Sequence, residues 1–373
     1  MQQRFDQEKQ TVLFAFRKSQ YRFFQNMLKV CDKQNVSIVS SKRAWLLSFD
    51  SIPRNIKKAI RKACEFAVEE FYAKTGWHRV PRSVLMGIFG VLGYWNAMRY
   101  NAVLSKGYAK VLIWNGGKFR QQIAIAIAKQ KGIKVYYFEN GLLPHTLVFD
   151  QKGINFDNSV PRDRHFYEAY QSDVPLPKAL VPRIGKKRAT FEGDEERLPE
   201  SYIFVPFQVD YDTQIITQSP WVKNMRMLYD LIEKIASQSS YHFVIKEHPS
   251  SGVEYPDLHE RASRTPNIHF ANTHSTQNLI EQSKAVITIN STVGIESLLF
   301  HKKVIVLGNA FYAIEGIAKR VTSEDELLWA LNRLKNLDID TDLVDRFLRY
   351  LYNEYLVHKD GTEYQQICQR MEA

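Results

Sequence analysis

Short apolar runs recur along the chain, and most are followed by a turn and an amphipathic stretch. Thr11–Phe16, Val36–Val39, Val111–Trp114 and Lys134–Phe138 are such runs in the first half. Tyr202–Pro206, Tyr241–Lys246, Ile268–Phe270, Ala285–Ile289 and Val304–Leu307 follow in the second. Their apolar positions are mostly continuous rather than alternating, which predicts strands buried on both faces of parallel sheets. Between them, Arg17–Gln34 places Tyr21, Phe24, Met27, Leu28 and Cys31 on one helical face. Pro53–Lys74 is basic and amphipathic, and Arg82–Lys106 carries an aromatic and small-residue face; the two suit a core layer, or a surface for lipid or a partner. Lys118–Lys131, Met225–Gln238, Thr276–Ser283, Ser323–Lys335 and Thr341–His358 complete the predicted helices, and Asp150–Arg164 reads as a long ordered loop. Strands alternating with helices predict an α/β fold.

The stretch from Ala285 to Tyr312 is the clearest strand–turn–helix–strand unit. Asn290-Ser291-Thr292 supplies a helix N-cap, Gly294 falls in the first turn, and Glu296 and Leu298-Leu299 follow. Lys302 and Lys303 are expected to close the helix, where cations suit its dipole. Val304–Leu307 then ends at Gly308. A helix start rich in Ser, Thr and Gly at a strand's carboxyl end can bind an anion such as phosphate. It is equally what an ordinary capped βαβ unit contains. The opening βαβ unit has no G-x-G-x-x-G, so a dinucleotide fingerprint is absent.

The chain has 373 residues, enough for roughly two domains of about 100–200 residues each. The proline turns at Pro175, Pro177 and Pro182 and the charged run Gly185–Arg197 make the best linker. They divide the chain into a basic first domain, 1–190, and a second, 201–335, with helices over 336–373 that would cross back to the first. Charge is unevenly placed: residues 1–190 hold 33 Lys/Arg against 13 Asp/Glu, a net of +20, and the rest 18 against 27, a net of −9. The first half is therefore expected to face something anionic, whether a membrane surface, an acidic polymer or nucleic acid. No RRM, KH or helix-turn-helix signature supports nucleic acid. Three cysteines (Cys31, Cys64, Cys368) without metal spacing favour a reduced, cytoplasmic protein. The polar start MQQRFDQEKQ does not read as a signal peptide. The apolar stretch Val84–Trp95, broken by three glycines, is short of the roughly 20 residues of a membrane span.

Candidate chemistry gathers at predicted strand ends, where open α/β sheets bind ligands. Lys134–Phe138 delivers Glu139. In the second half, Gln208–Asp212, Glu247-His248-Pro249 and Ser291-Thr292 converge. Taken singly, Glu139, Asp210 and Asp212 could be solvated loop carboxylates and His248 a turn residue before proline. Taken together they give two carboxylates facing each other between halves. Two Rossmann-like domains facing across a cleft form the GT-B arrangement, with a nucleotide sugar on the second half and its acceptor on the first.

At these residues the chain resembles the bacterial capsule polysaccharide β-Kdo transferases of the KpsC/KpsS type, most closely the KpsS branch. Gln208–Asp212 matches a Q-x-x-x-D motif, and Lys246-Glu247-His248-Pro249 a K-x-H-P motif. Thr288–Ile295 and Gly308–Tyr312 resemble the nucleotide-binding segment. Phe138–Gly141 resembles an E-x-G segment, and Gly153–Asn155 with Ser159–Asp163 and Phe166-Tyr167 a further one. The resemblance runs from about Val111 to Tyr312, with five motifs in the family's order and spacing. Asn140 stands where an acid is usual, Leu143-Pro144 replaces an Arg-led pair, and Glu296 is closer to the KpsC branch.

The resemblance implies a retaining β-Kdo glycosyltransferase of a Gram-negative bacterium, using CMP-Kdo as donor substrate and no cofactor or catalytic metal. Asp212 would be the nucleophile of a double displacement, and Gln208 would orient it or the sugar. Glu139 would hold the acceptor hydroxyl and take its proton. His248 would contact the donor's phosphate or carboxylate, with Pro249 beside it and Lys246 adding positive charge. Ser291, Thr292 and the Gly294 backbone would bind the CMP phosphate. Glu296 would accept from ribose, and Gly308 and Asn309 would border the nucleotide. The implied partners are an anionic lipid of the phosphatidylglycerol type, or a lipid-linked glycan, at the inner-membrane surface, and other capsule assembly proteins. Another CMP-sugar, a lipooligosaccharide acceptor and a catalytically silent assembly subunit are the alternatives.

Overall fold

A computed structural model describes residues 11–30, 36–40, 52–181 and 197–372. In chain order the first elements are β1 (Thr11–Ala15), α1 (Lys18–Met27), β2 (Val36–Ser40), α2 (Arg54–Thr75), α3 (Arg82–Leu104), β3 (Lys110–Trp114), α4 (Phe119–Gln130), β4 (Lys134–Asn140), β5 (Thr146–Asp150) and α5 (Arg164–Ala169). The second half runs β6 (Tyr202–Pro206), α6 (Thr213–Gln218), α7 (Met225–Ala236), β7 (His242–Lys246), α8 (Pro256–Ser263), β8 (Ile268–Phe270), α9 (Thr276–Gln282), β9 (Ala285–Thr288), α10 (Thr292–Leu299), β10 (Lys303–Val306), β11 (Lys319–Arg320) and α11 (Glu324–Asn332). After α12 (Thr341–Tyr350) come a π-helical turn at Leu351–Tyr355, β12 (Leu356–His358) and α13 (Glu363–Glu372).

These elements form two compact units. One comprises Met1–Gly141, Thr146–Ser159 and Val357–Ala373; the other comprises Leu142–His145 and Val160–Leu356. Its sheet in the first unit has the order β12-β5-β4-β3-β1-β2, with β1, β2, β3 and β4 parallel and β5 antiparallel to β4. The second unit's sheet has the order β11-β10-β9-β6-β7-β8 and is parallel throughout. Each is a Rossmann-like half of the kind that makes up the GT-B class. Strands β1, β6 and β9 are buried at every position, as strands covered on both faces must be. The second unit's core gathers Ile203, Phe243, Ile287 and Ile305 from four neighbouring strands with Leu228, Ile232 and Leu327 from the helices over them. Each such side chain contributes about 1.5–3 kcal/mol by leaving water.

Several expectations change. The division falls at Ser159/Val160 rather than in the proline-rich linker, because Val160–Ala169 packs within the second unit: Arg162 lies over the Phe311 ring at 5.3 Å, and Tyr167 stacks edge-on with Phe347. Residues 182–196 of that linker, with Cys31 and the end of the first predicted helix, lie outside the described residues. The helix expected over Thr341–His358 stops at a π turn, and Leu356–His358 becomes a strand beside β5 in the first unit's sheet. Helix α10 ends at Leu299, short of the lysines. Lys302 donates to the Glu281 and Ser283 carbonyls instead, and Lys303 opens β10. Cys64 is free and buried, its thiol pushed up to about 11 chiefly by burial.

Candidate active site

The second unit has strand order 3-2-1-4-5-6 counted from β6, so the chain reverses direction across the sheet between β6 and β9. Ligands of open α/β sheets bind at the carboxyl ends flanking such a reversal. The loops leaving β6 and β9 there carry Gln208–Asp212 and Asn290-Ser291.

Gln208 and Asn290 join the two loops. Gln208 Nε2 donates to Asn290 Oδ1 at 3.0 Å, and Gln208 Oε1 accepts from the Asn290 N–H at 3.2 Å and from Thr288 Oγ1 at 3.4 Å. Asn290 Nδ2 donates onward to the Gln214 and Gln218 carbonyls at 3.2 and 3.3 Å. Both side chains are buried, so the amide pair is a satisfied internal clamp. Gln208 thus braces the loop that carries Asp212, and its hydrogen bonds go to the β9 loop rather than to Asp212. Asn290, expected only as part of a helix cap, is the hub of the network. A polar residue set directly between an apolar strand and a capping serine is the one local signal that could have found it.

Asp210 is also turned inward. Its carboxylate accepts from the Met225 N–H and the Tyr255 hydroxyl, each at 2.7 Å, which fixes the start of α7. Burial raises its pKa, against the lowering effect of those two donors, and burial beside Asp210 raises that of Tyr255. Asp212 differs from both. It is exposed, and caps α6 by accepting from the Gln214 N–H at 2.9 Å. Of the three polar side chains in this run, Asp212 is the one presented to solvent at the sheet edge.

On the β9 side, Ser291 caps α10, its hydroxyl accepting from the Val293 N–H at 3.1 Å. The Ser291 carbonyl accepts from the buried Tyr312 hydroxyl at 2.6 Å. Gly294 is what allows this: a Cβ there would stand 2.3 Å from the Tyr312 oxygen. Burial, helped by nearby Glu296, raises the Tyr312 pKa and keeps the phenol a donor. Gly294→Ala is therefore expected to displace Tyr312 and lower stability by about 1–3 kcal/mol; an unchanged melting curve would mean that the tyrosine moves aside freely. Thr292 and Glu296 are half-buried on the same helix. Gly308 closes the neighbouring loop, its N–H donating to the Ile289 carbonyl at 2.7 Å. Asn309 donates to Gln218 Oε1 at 3.2 Å and accepts from Arg320 at 2.6 Å.

The third loop places its residues differently from expectation. Lys246 Nζ donates to the Asn272 and His274 carbonyls at 2.5 and 2.7 Å, and burial lowers its pKa. Its cation ties down the β8–α9 turn, a structural task alongside the expected one of adding positive charge. Glu247 bonds His259 Nε2 at 2.6 Å. The half-buried His248 accepts the Ser250 N–H at Nδ1, 3.1 Å away, as the chain turns through Pro249.

Glu139 belongs to the first unit. It lies within β4 rather than beyond it, paired with Val148 of β5, a strand not among those expected. One carboxylate oxygen accepts from Asn115 Nδ2 at 2.7 Å and the other from the Asn140 N–H at 2.8 Å. Asn115 holds its position in a left-handed turn, φ +68°, with its N–H on the Phe138 carbonyl. The loop after β5 wraps a buried Asp150, which accepts from the N–H groups of Lys152, Gly153 and Ser159 and from the Ser159 hydroxyl. Much of the Gly153–Ser159 segment is therefore architectural. Neither Asn115 nor Asp150 stood out in the sequence, because turn residues at strand ends are common.

Comparison with known proteins agrees with this architecture. The chain is 38% identical over 256 residues to protein FixF of Sinorhizobium fredii, covering 68% of this chain and 61% of FixF. It is 26% identical to the capsule polysaccharide export protein KpsS of Escherichia coli, covering 51% of this chain and 64% of that one. The chain thus spans less than two thirds of either relative. Among solved structures, the KpsC β-Kdo 2,7-transferase of Thermosulfurimonas dismutans aligns over 98% of this chain and 100% of its own, with a TM-score of 0.50 and 15% identity, a likeness of fold. The family model for capsule polysaccharide biosynthesis proteins matches residues 109–191 and 183–360, and the chain belongs to that family.

Proposed function

We propose that the protein is a retaining β-Kdo glycosyltransferase that takes Kdo from CMP-Kdo and passes it to a lipid acceptor of the phosphatidylglycerol type in capsule synthesis. The observation that carries this reading is the sorting of the Gln208–Asp212 run: Gln208 and Asp210 are committed to internal hydrogen bonds, while Asp212 is presented at the sheet reversal. A carboxylate at that edge is placed to attack the anomeric carbon as the CMP phosphate leaves, forming a glycosyl ester. The acceptor hydroxyl then displaces Asp212 and loses its proton to a base. Glu139, held through both oxygens, is the proposed base. The start of α10, with Ser291, Thr292 and the Gly294 backbone, is the proposed seat of the CMP phosphate. His248 is proposed for the donor's anionic groups, and Glu296, Gly308 and Asn309 for the nucleoside. The family and the first-half charge of +20 support work at the inner-membrane surface. Incubation with CMP-Kdo and phosphatidylglycerol-type acceptors, followed by product mass, tests the assignment; transfer from another CMP-sugar alone would replace the donor.

Binding can be tested separately. CMP is expected to raise the melting temperature, contributing about 2.7 kcal/mol at about 100 times its Kd. The double substitution Ser291→Ala/Thr292→Ala is expected to weaken that protection. Undiminished CMP affinity in this variant would place the phosphate elsewhere.

A further inference from the structure

Helix α3 carries no charged side chain between Ser83 and Met98. One face is buried, with Leu85, Gly93, Asn96, Ala97 and Tyr100 turned inward. The opposite face is apolar too, and it is open. Val84, Ile88, Val91 and Trp95 are 49%, 51%, 73% and 46% exposed, and their spacing of four, three and four residues makes them a single stripe. Leu92 and Tyr94 widen it, and Trp77, 64% exposed, stands in the turn before the helix. Scattered exposed apolar residues need no explanation, whereas a continuous stripe of this kind marks a surface that something covers.

The neighbouring helix supplies charge. Between Arg54 and Cys64, α2 carries Arg54, Lys57, Lys58, Arg61 and Lys62, all exposed, and no carboxylate. The two helices form an antiparallel hairpin. A Cβ on Gly93 would meet Ile60 Cγ2 at 2.6 Å, and Arg82 pairs with Glu69 at the other end. Ile60 therefore lies opposite Gly93, and the basic turns of α2 run level with the Val91–Arg99 part of α3. Tyr94 and Trp95, side chains that suit the boundary between apolar and polar layers, stand at that level.

We propose that α3 docks this unit on an anionic lipid bilayer, its Val84–Trp95 stripe entering the headgroup boundary while the α2 cations hold acidic headgroups. Charge complementarity selects this occupant. An apolar face beside a basic row whose nearest carboxylate, Glu65, is taken up by Arg61 at 3.3 Å is the pattern of interfacial membrane helices. No helix among the described residues is long and apolar enough to cross a membrane, so the contact is with the surface. The inference deepens the membrane placement proposed above and requires no particular sugar donor.

Flotation of the full chain with phosphatidylcholine vesicles, with and without phosphatidylglycerol, tests it. Binding is expected with phosphatidylglycerol at low salt, with a blue shift in tryptophan emission. Salt should weaken it as the Debye length shortens to about 8 Å near 0.15 M. The surface variants Ile88→Ser/Val91→Ser and Lys57→Glu/Lys58→Glu are each expected to lower vesicle affinity by about tenfold or more without moving the melting temperature. Absence of binding, equal binding to neutral vesicles, or binding that both variants leave intact would overturn the proposal. So would a wild-type dimer that ignores vesicles and that Val91→Ser makes monomeric. If vesicle binding follows this pattern but no Kdo is transferred, the donor assignment fails and the docking surface stands.

Discussion

Asp212→Asn is expected to cut transfer from CMP-Kdo by about a thousandfold or more, the scale on which loss of a nucleophile registers. The melting temperature and CMP affinity should stay nearly unchanged. Asp212 is exposed, and its described structural task is to accept the Gln214 N–H at the start of α6. Asparagine caps helices about as well as aspartate, so the substitution removes the anion and leaves the cap. Alanine would remove both and add about 1 kcal/mol of lost capping, which makes asparagine the cleaner probe. A slowed enzyme held with CMP-Kdo should carry a Kdo-mass adduct on the peptide containing Asp212. Wild-type rates from folded Asp212→Asn protein, or an adduct on a different carboxylate, would take the nucleophile's role away from this residue.

The second large effect is on stability. Asn290→Ala is expected to lower it by about 3–5 kcal/mol, because each buried group left without a partner costs about 1–3 kcal/mol. The loss strips Gln208 Nε2 and the Gln214 carbonyl of a side-chain partner, while the Gln218 carbonyl keeps the Asn309 N–H at 2.8 Å. Gln208→Ala should cost a similar amount, and the two should combine less than additively, since each already breaks the same contact. Denaturant midpoints for the four corners of this cycle measure it. Full additivity would show that the loops from β6 and β9 are held by their apolar neighbours and not by the amide pair.

What the sequence could and could not convey follows from the range of each interaction. The parallel strands were legible because burial on both faces writes a local apolar run, as at Tyr202–Pro206 and Ala285–Ile289. The polar runs at their ends, Gln208–Asp212 and Asn290-Ser291, fall at the carboxyl edge of the second sheet. The individual roles were hidden because they depend on partners far along the chain. Gln208 meets Asn290 across two strands, and Lys246 finds carbonyls near residues 272–274. No pattern within a dozen residues separates an inward Asp210 from an outward Asp212 two positions on. The hairpin β4–β5 escaped because the apolar run of β4 stops at Phe138, although Glu139 and Asn140 are still paired with Val148 and Leu147.

The return of the chain at Val357 also bears on biosynthesis. Strand β12 lies beside β5 in a sheet whose other strands all precede residue 151. Helix α13 then fastens that unit, with Lys110 Nζ on the Met371 carbonyl and the Phe23 and Tyr364 rings 5.2 Å apart. During translation the unit begun first is therefore finished last. Its edge waits unpaired while the whole of the other unit emerges, at about 5–20 residues per second. A nascent chain in that interval exposes the rim of β5, the kind of open edge that invites wrong pairing. Chaperone protection during synthesis would matter most at this edge, long after its own residues have left the ribosome.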